Sequence, residues 1–277
     1  MNNGITVLMA VHNGERADYL HEALESLHHQ TLQPVKIVII EDGPLNRGLS
    51  ECLRYWQMRW RERLLRIRNT HNMGLTASLN RGIEFIATPL IARMDSDDRS
   101  HPRRFEWQAK FLRHHPDIAV VGGAIKEFDK LGTRYATRNY PLTHEEALRT
   151  IHRASPLAHP AVMMRSEIFR NGIRYNERYR TSQDIALWFD LICNGYRIAN
   201  IRQTVLYFRV GDGLYSRRSR DKAWSEFRIY CNGIRRLNGL ISLRYVWPLG
   251  RLCTRLMPTN VIRWLYQSNL RQRLSQP

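Results

Sequence analysis

The strongest constraint on the fold is an alternation. Short runs rich in Val, Ile and Leu, at Ile5–Val11, Val35–Ile40, Leu64–Arg68 and Leu90–Met94, are separated by stretches of helical period. Apolar runs of this length, bounded by turn residues such as His12-Asn13-Gly14, read as strands buried on both faces. Between the first two, Leu20, Ala23, Leu24 and Leu27 recur at helical spacing behind Asp18, the expected N-cap, and that helix must end before Pro34. Further helices are expected from Leu49 to Arg61, Thr76 to Ala87 and Arg103 to His114, with a strand at Ile118–Val121. Such repetition predicts an α/β fold, a mostly parallel sheet with helices on both faces.

Regularity fades from there to about Arg165. A helix at Ser182–Cys193 and strands at Arg197–Ile201 and Val205–Val210 follow, and the remainder reads as helix punctuated by Pro248 and Pro258. At 277 residues the chain is long for one domain and short for two, so a catalytic domain over 1–215 with a helical extension over 216–277 is expected.

In open α/β sheets ligands bind beyond the carboxyl ends of the strands. Three polar loops fall there: Glu41-Asp42-Gly43, Asn72-Met73-Gly74 and Asp95-Ser96-Asp97-Asp98. Three carboxylates within four positions repel one another and raise one another's pKa, a cost that a divalent cation offsets. Oxygen-only ligands suit Mn2+ or Mg2+, which bridge protein carboxylates to substrate phosphates. Such a cluster alone is more often a solvated turn or a helix cap. Glu41 and Asp42 are placed to accept hydrogen bonds from a nucleobase or a ribose. Asn72-x-Gly74 and Asn80-x-Gly82 flank a helix start, where glycine lets backbone approach a phosphate-bearing ligand closely.

Taken in order, Val11-His12-Asn13-Gly14, Glu41-Asp42-Gly43, Asn72-Met73-Gly74-Leu75 with Asn80-x-Gly82, Met94-Asp95-Ser96-Asp97-Asp98 and His101-Pro102-x-Arg104 resemble the pattern of bacterial family 2 glycosyltransferases. The resemblance covers roughly residues 4 to 210. It implies a GT-A fold for the catalytic domain, with Val11, Asn13, Glu41, Asp42, Asn72, Gly74, Asn80 and Ser96 among the donor-binding residues. Asp95, Asp97 and Asp98 are then arranged around ribose and metal, with the assignment of each to an atom left open. The resemblance also implies a base in a later Glu-Asp pair that begins a helix. Gln183-Asp184 fits, with glutamine in place of the usual glutamate but Asp184 retained.

An acceptor hydroxyl is a poor nucleophile, and a carboxylate within hydrogen-bond reach can take its proton as the glycosidic bond breaks. One base and a metal-bound leaving group support a single displacement with inversion. Asp184 would otherwise only stabilise its helix N-terminus, with Ser182 as the cap. His159 falls near the donor diphosphate or the acceptor by the same resemblance, or is a core histidine. Arg209 is a candidate to close over the diphosphate, since guanidinium groups pair well with phosphate oxygens.

The formal net charge is +18, and residues 216–277 hold thirteen Lys or Arg against Asp221 and Glu226. An imbalance of this size points to an anionic partner. Leu249, Leu252, Cys253 and Leu256 share one helical face, and Val261, Ile262, Leu265 and Tyr266 repeat the pattern, with Trp247 and Trp264 among the arginines. Such helices suit an anionic membrane surface or pack on the catalytic domain. The acceptor class implied by the resemblance is a lipid-diphosphate-linked saccharide, as in capsule, exopolysaccharide and O-antigen synthesis. A nucleotide-sugar, a UDP-sugar in the first instance, is the expected donor.

Met1–Val11 lacks the basic start of a signal peptide, and arginines interrupt every run that approaches the ~18–20 apolar residues of a membrane span. A cytoplasmic protein, peripheral on the inner face of the cell membrane, is expected. Cys52, Cys193, Cys231 and Cys253 are too dispersed for a zinc site or disulfide framework. Two other readings compete. A metal-dependent nucleotidyltransferase would need an early glycine-rich loop with a basic residue, which His12-Asn13-Gly14-Glu15 matches poorly. A nucleic-acid-binding protein rests on charge alone, and nucleic acid is not the expected partner because the basic residues sit on a helical tail rather than in a reading module.

Overall fold

The computed structural model describes residues 4–129, 135–210 and 220–256. It divides into two compact units, Met1–Gly211 and Asp212–Pro277. The elements of the first are β1 (Ile5–His12), α1 (Ala17–His28), β2 (Lys36–Asp42), α2 (Arg47–Trp60), β3 (Leu64–Arg68), α3 (Leu75–Ile83), β4 (Leu90–Arg93), β5 (Arg99–Ser100) and α4 (Arg104–His114). They continue with β6 (Ile118–Phe128), β7 (Tyr135–Arg138), α5 (His144–Thr150), β8 (Met163–Arg165), α6 (Glu167–Arg170), α7 (Gln183–Cys193) and β9 (Arg197–Arg209). The second unit contains α8 (Arg220–Asn238) and α9 (Val246–Leu256).

One nine-stranded sheet runs in the order β3-β2-β1-β4-β8-β6-β9-β5, with β7 beside β6. The first four strands are parallel. β8 is antiparallel to both neighbours and joins β4 to β6. β1 and β2 are buried along nearly their whole length, as continuous apolar runs require when helices cover both faces. Leu20, Ala23, Leu24 and Leu27 of α1 are fully buried. α3 reaches the sheet through Gly82, where an added Cβ would lie 2.4 Å from Leu8 Cδ1 and 3.1 Å from Ile40 Cγ1. That glycine serves helix–sheet contact rather than approach to a ligand.

Several sequence expectations are corrected. Asp18 lies inside the first turn of α1, paired at 2.6 Å with Arg16, which takes the N-cap position. α3 stops at Ile83, and the strands expected at Arg197–Ile201 and Val205–Val210 are one irregular strand, kept continuous by its register with β6. In the expected amphipathic face of α9 only Leu252 is buried, while Leu249, Cys253 and Leu256 are exposed. Trp264 and the repeat at Val261–Tyr266 lie outside the described residues.

Candidate active site

Parallel pairing aligns the ends of the first strands: Val11 faces Glu41 and His12 faces Asp42, while Leu8 faces Arg93. The chain order reverses between β1 and β4, which is where an open α/β sheet leaves a crevice. A cavity of about 290 Å³ opens there, lined by Val11, His12 and Glu15 after β1, Asp42 after β2, Asn72 and Gly74 before α3, and Asp95 after β4. It sits at the lower end of ligand-site volumes, ~300–1,000 Å³. A larger cavity of about 900 Å³ beside Glu22, Arg99 and Phe128 shares none of these residues and none of the acidic cluster.

Asp42 organises the pocket wall. Its Oδ1 accepts from Met73 N–H at 2.7 Å and Asn69 Nδ2 at 2.9 Å, and its Oδ2 accepts from Gly74 N–H at 2.9 Å. Gly43 and Gly74 both have φ near +90°, and a Cβ on Gly43 would meet Asn72 N at 2.8 Å. The two loops touch backbone to backbone, so glycine is required at the first. Glu15, not among the site residues expected from the sequence, bonds His12 Nδ1 at 2.9 Å and accepts from the Ser96 hydroxyl, tying the β1 loop to the acidic loop. The Glu15 hydrogen bond is the main cause of a raised His12 pKa.

Ligand atoms of Asp95, Asp97 and Asp98 lie within 4.8 Å of one another. Asp98 is fully buried; its Oδ1 accepts from Arg209 N–H at 2.9 Å, and its Oδ2 has no partner among the described residues. Burial first, then Asp95 and Glu15, push Asp97 up to about 6. Burial first, then Asp95 and Asp97, hold Asp98 well above the usual carboxylate range. An orphaned buried oxygen beside two further carboxylates is the donor set that a hard divalent cation takes, and its charge would relieve both strains. The residues fit Mn2+ or Mg2+.

Arg93, also missed in the sequence, is buried at the end of β4 and pairs with Asp95, with Nε and Nη1 left without partners among the described residues. Asp184 sits in the first turn of α7, and burial raises its pKa above the usual range, while Arg93 pulls it down and Asp95 pushes it up. Eighty-six positions after Asp98, this carboxylate is thus within electrostatic reach of the acidic loop. Ser182 does not cap α7: it is left-handed at φ 58° with no side-chain cap bond. A non-glycine residue there carries strain of about 1–3 kcal/mol immediately before the Asp184 turn.

Other candidates have different commitments. Glu41 is clasped by Arg66 at 2.7 Å and Arg68 at 2.9 Å, so it neutralises β3 instead of lining the pocket. Asn80 bonds the backbone of Tyr175 in both directions and also Glu177, fixing the 175–177 segment. His159 shares a 2.8 Å hydrogen bond with the Tyr175 hydroxyl and meets Trp188 edge-on; burial holds its pKa well below the ordinary value, so it is a neutral core histidine. Arg209 lies between the Tyr19 and Phe128 rings, 3.8 and 4.6 Å from their centroids, paired with Glu22 and donating to the Asp97 carbonyl. It anchors the acidic loop rather than projecting over a diphosphate. Asn13 is exposed, and its carbonyl accepts from Asn46 Nδ2 at 3.2 Å.

Residues 6–173 match the model for glycosyl transferase family 2. The chain is 30% identical over 270 residues to the amylovoran biosynthesis glycosyltransferase AmsE of Erwinia amylovora, covering 95% of this chain and 98% of the relative. It is 30% identical over 278 residues to a UDP-Gal:alpha-D-GlcNAc-diphosphoundecaprenol beta-1,3-galactosyltransferase of Escherichia coli, covering 96% of each. Among solved structures, the mannosyltransferase PcManGT of Pyrobaculum calidifontis, in complex with GDP-Man and Mn2+, superposes with a TM-score of 0.64 at 15% identity, covering 91% of this chain and 73% of that one. The last likeness concerns the fold alone, which is GT-A. With the family model spanning more than half of its length, the chain belongs to glycosyl transferase family 2.

Proposed function

We propose that this chain is an inverting glycosyltransferase that moves a sugar from a nucleotide-diphosphate donor, a UDP-sugar, to a lipid-diphosphate-linked saccharide in bacterial surface polysaccharide synthesis. The observation that supports the reading is the electrostatic reach between Asp184 and the acidic loop: a carboxylate whose pKa is raised by burial also feels Asp95, which lines the β1–β4 crevice and belongs to the Asp95, Asp97 and Asp98 cluster. The names of the two relatives support the polysaccharide setting, and the second supports both the UDP-sugar and the lipid-linked acceptor.

In this reading Val11, Asp42 and the Asn72–Gly74 loop receive the nucleoside, and Asp95, Asp97 and Asp98 hold Mn2+ or Mg2+. The cation supplies charge neutralisation for the departing diphosphate. Asp184 takes the proton of the acceptor hydroxyl as that oxygen bonds to the anomeric carbon, and the old C–O bond breaks with its electron pair going to the diphosphate. Only one displacement occurs, so the configuration inverts. Arg93 keeps Asp95 in place and favours the ionised form of Asp184, which a base requires.

The acceptor lies at a membrane, and the basic second unit is the element that brings the enzyme there, peripherally on the inner face. No helix among the described residues is long and apolar enough to cross a bilayer. The test is incubation of the purified chain with a panel of nucleotide-sugars and a polyprenyl-diphosphate-linked saccharide, with the Asp184→Asn variant alongside. Transfer from a UDP-sugar with inverted anomeric configuration, absent in the variant, is the expected result; retention of configuration would sink the mechanism.

A further inference from the structure

The second unit is built around a buried acid. Glu226 of α8 is 3% exposed and is held by Arg251 and Arg255 of α9, the latter at 2.6 Å. Arg251 also lies over the Tyr230 ring, 5.1 Å from its centroid. Two arginines of α9 are therefore turned toward α8, and Pro248 and Leu252 join them in the contact. The connection between the helices and the first turn of α9 expose apolar side chains: Ile241 is 97% exposed, Leu243 95%, Leu240 76% and Val246 62%, with Trp247 and Leu249 close to half. Single exposed leucines are ordinary, but six large apolar side chains within ten residues mark a contact surface.

Charge identifies what covers it. From residue 227 to 277 the sequence has nine arginines and no acidic residue. Arg235 and Arg236 lie in the last turn of α8, and Arg244 stands between Leu243 and Val246. An apolar tip that bears a tryptophan and whose charged neighbours are all arginines matches a bilayer surface with anionic headgroups. A protein partner would be expected to show acids or hydrogen-bonding groups at its rim.

We propose that Leu240–Leu249 is a wedge that enters the interfacial layer of an anionic bilayer, with Arg235, Arg236 and Arg244 at the depth of the lipid phosphates. This rests on the membrane-side reading above and narrows it from a diffuse basic tail to one hairpin turn. The turn enters about 5–10 Å, so attachment is reversible.

The full-length chain is floated with vesicles of phosphatidylglycerol and phosphatidylcholine, and with phosphatidylcholine alone. It is compared with Ile241→Glu/Leu243→Glu and with the conservative Ile241→Val/Leu243→Met, folding of each being checked by thermal melting. Expected are binding to the anionic vesicles, about tenfold weaker binding to the neutral ones, a loss of about a hundredfold or more in the Glu variant, and near-normal binding in the conservative one. A Glu variant that floats like the parent overturns the wedge and leaves membrane attachment standing, whereas a parent chain that does not float overturns both. A lipid-independent dimer that the Glu variant dissociates assigns the surface to a second copy and also overturns the proposal.

Discussion

Arg93 is 2% exposed and still forms an ion pair with Asp95, whose side chain is one-third exposed at the pocket. A buried cation thus stands directly behind the acidic loop, with Asp184, Asp97 and Asp98 all feeling its charge. Removing it should separate chemistry from folding. In Arg93→Met the remaining Asp95 has water available, and the unpartnered Nε and Nη1 disappear, so stability should change by no more than about 2 kcal/mol. The acid limb of the pH–rate profile should move upward, because Asp184 loses the charge that favours its ionised form. Urea unfolding and kcat/KM against pH check the two halves separately.

Asp184→Asn should lower kcat by about 10²–10⁴-fold while nucleotide-sugar affinity, measured calorimetrically, stays within a few-fold. With Asp184 as the base, activity needs its carboxylate form. Burial raises that pKa, so the rate should fall on acidification earlier than for an ordinary aspartate. A flat profile down to the usual carboxylate range would remove Asp184 from the reaction.

Asp97, pushed up to about 6 before any cation binds, must lose its proton when one does. Mn2+ affinity should therefore weaken as pH falls through about 6, and Asp97→Asn or Asp98→Asn should reduce metal-dependent donor binding at every pH. Titration calorimetry at several pH values is the measurement.

Glu41→Gln separates a structural acid from a ligand. The substitution leaves the largely buried Arg66 without its carboxylate, with an expected cost of about 1–3 kcal/mol in stability. Donor affinity should be nearly unchanged, and a large loss of affinity without destabilisation would return Glu41 to the donor site.

Gly82→Ala places a methyl group against Leu8 and Ile40 under α3. Overpacking at this helix–sheet contact should cost about 1–3 kcal/mol, read as a lowered melting temperature.

The parallel half of the sheet was legible because β1, β2 and β4 are short, largely apolar runs whose carboxyl ends carry polar residues. The clustering of Asp95, Asp97 and Asp98 and the place of Asp184 in the first turn of a helix were legible through chemistry and motif order. What stayed hidden depends on partners distant in sequence. Nothing local distinguishes Glu41, which faces two arginines of β3, from Asp42, which faces the pocket. Nothing local tells that Arg209 would be sandwiched between rings from α1 and β6, or that Asn80 would fix a segment 95 positions later. Arg93 was obscured because an arginine inside an apolar run reads as an interruption, whereas burial beside carboxylates makes it part of the site. At Ser182 the side chain type suggested a cap, and the left-handed backbone turned it away.

β8 is three residues long, yet it supplies the pairing between β4 and β6. A chain that stopped before Met163 would leave β4 with an open edge, and the first four strands would form a slab with an unsatisfied row of backbone donors and acceptors, the template on which β aggregation grows. The late, irregular stretch that looks least organised in the sequence is therefore what seals the sheet, and truncations meant to isolate the parallel half should yield insoluble material unless they retain residues through Arg165.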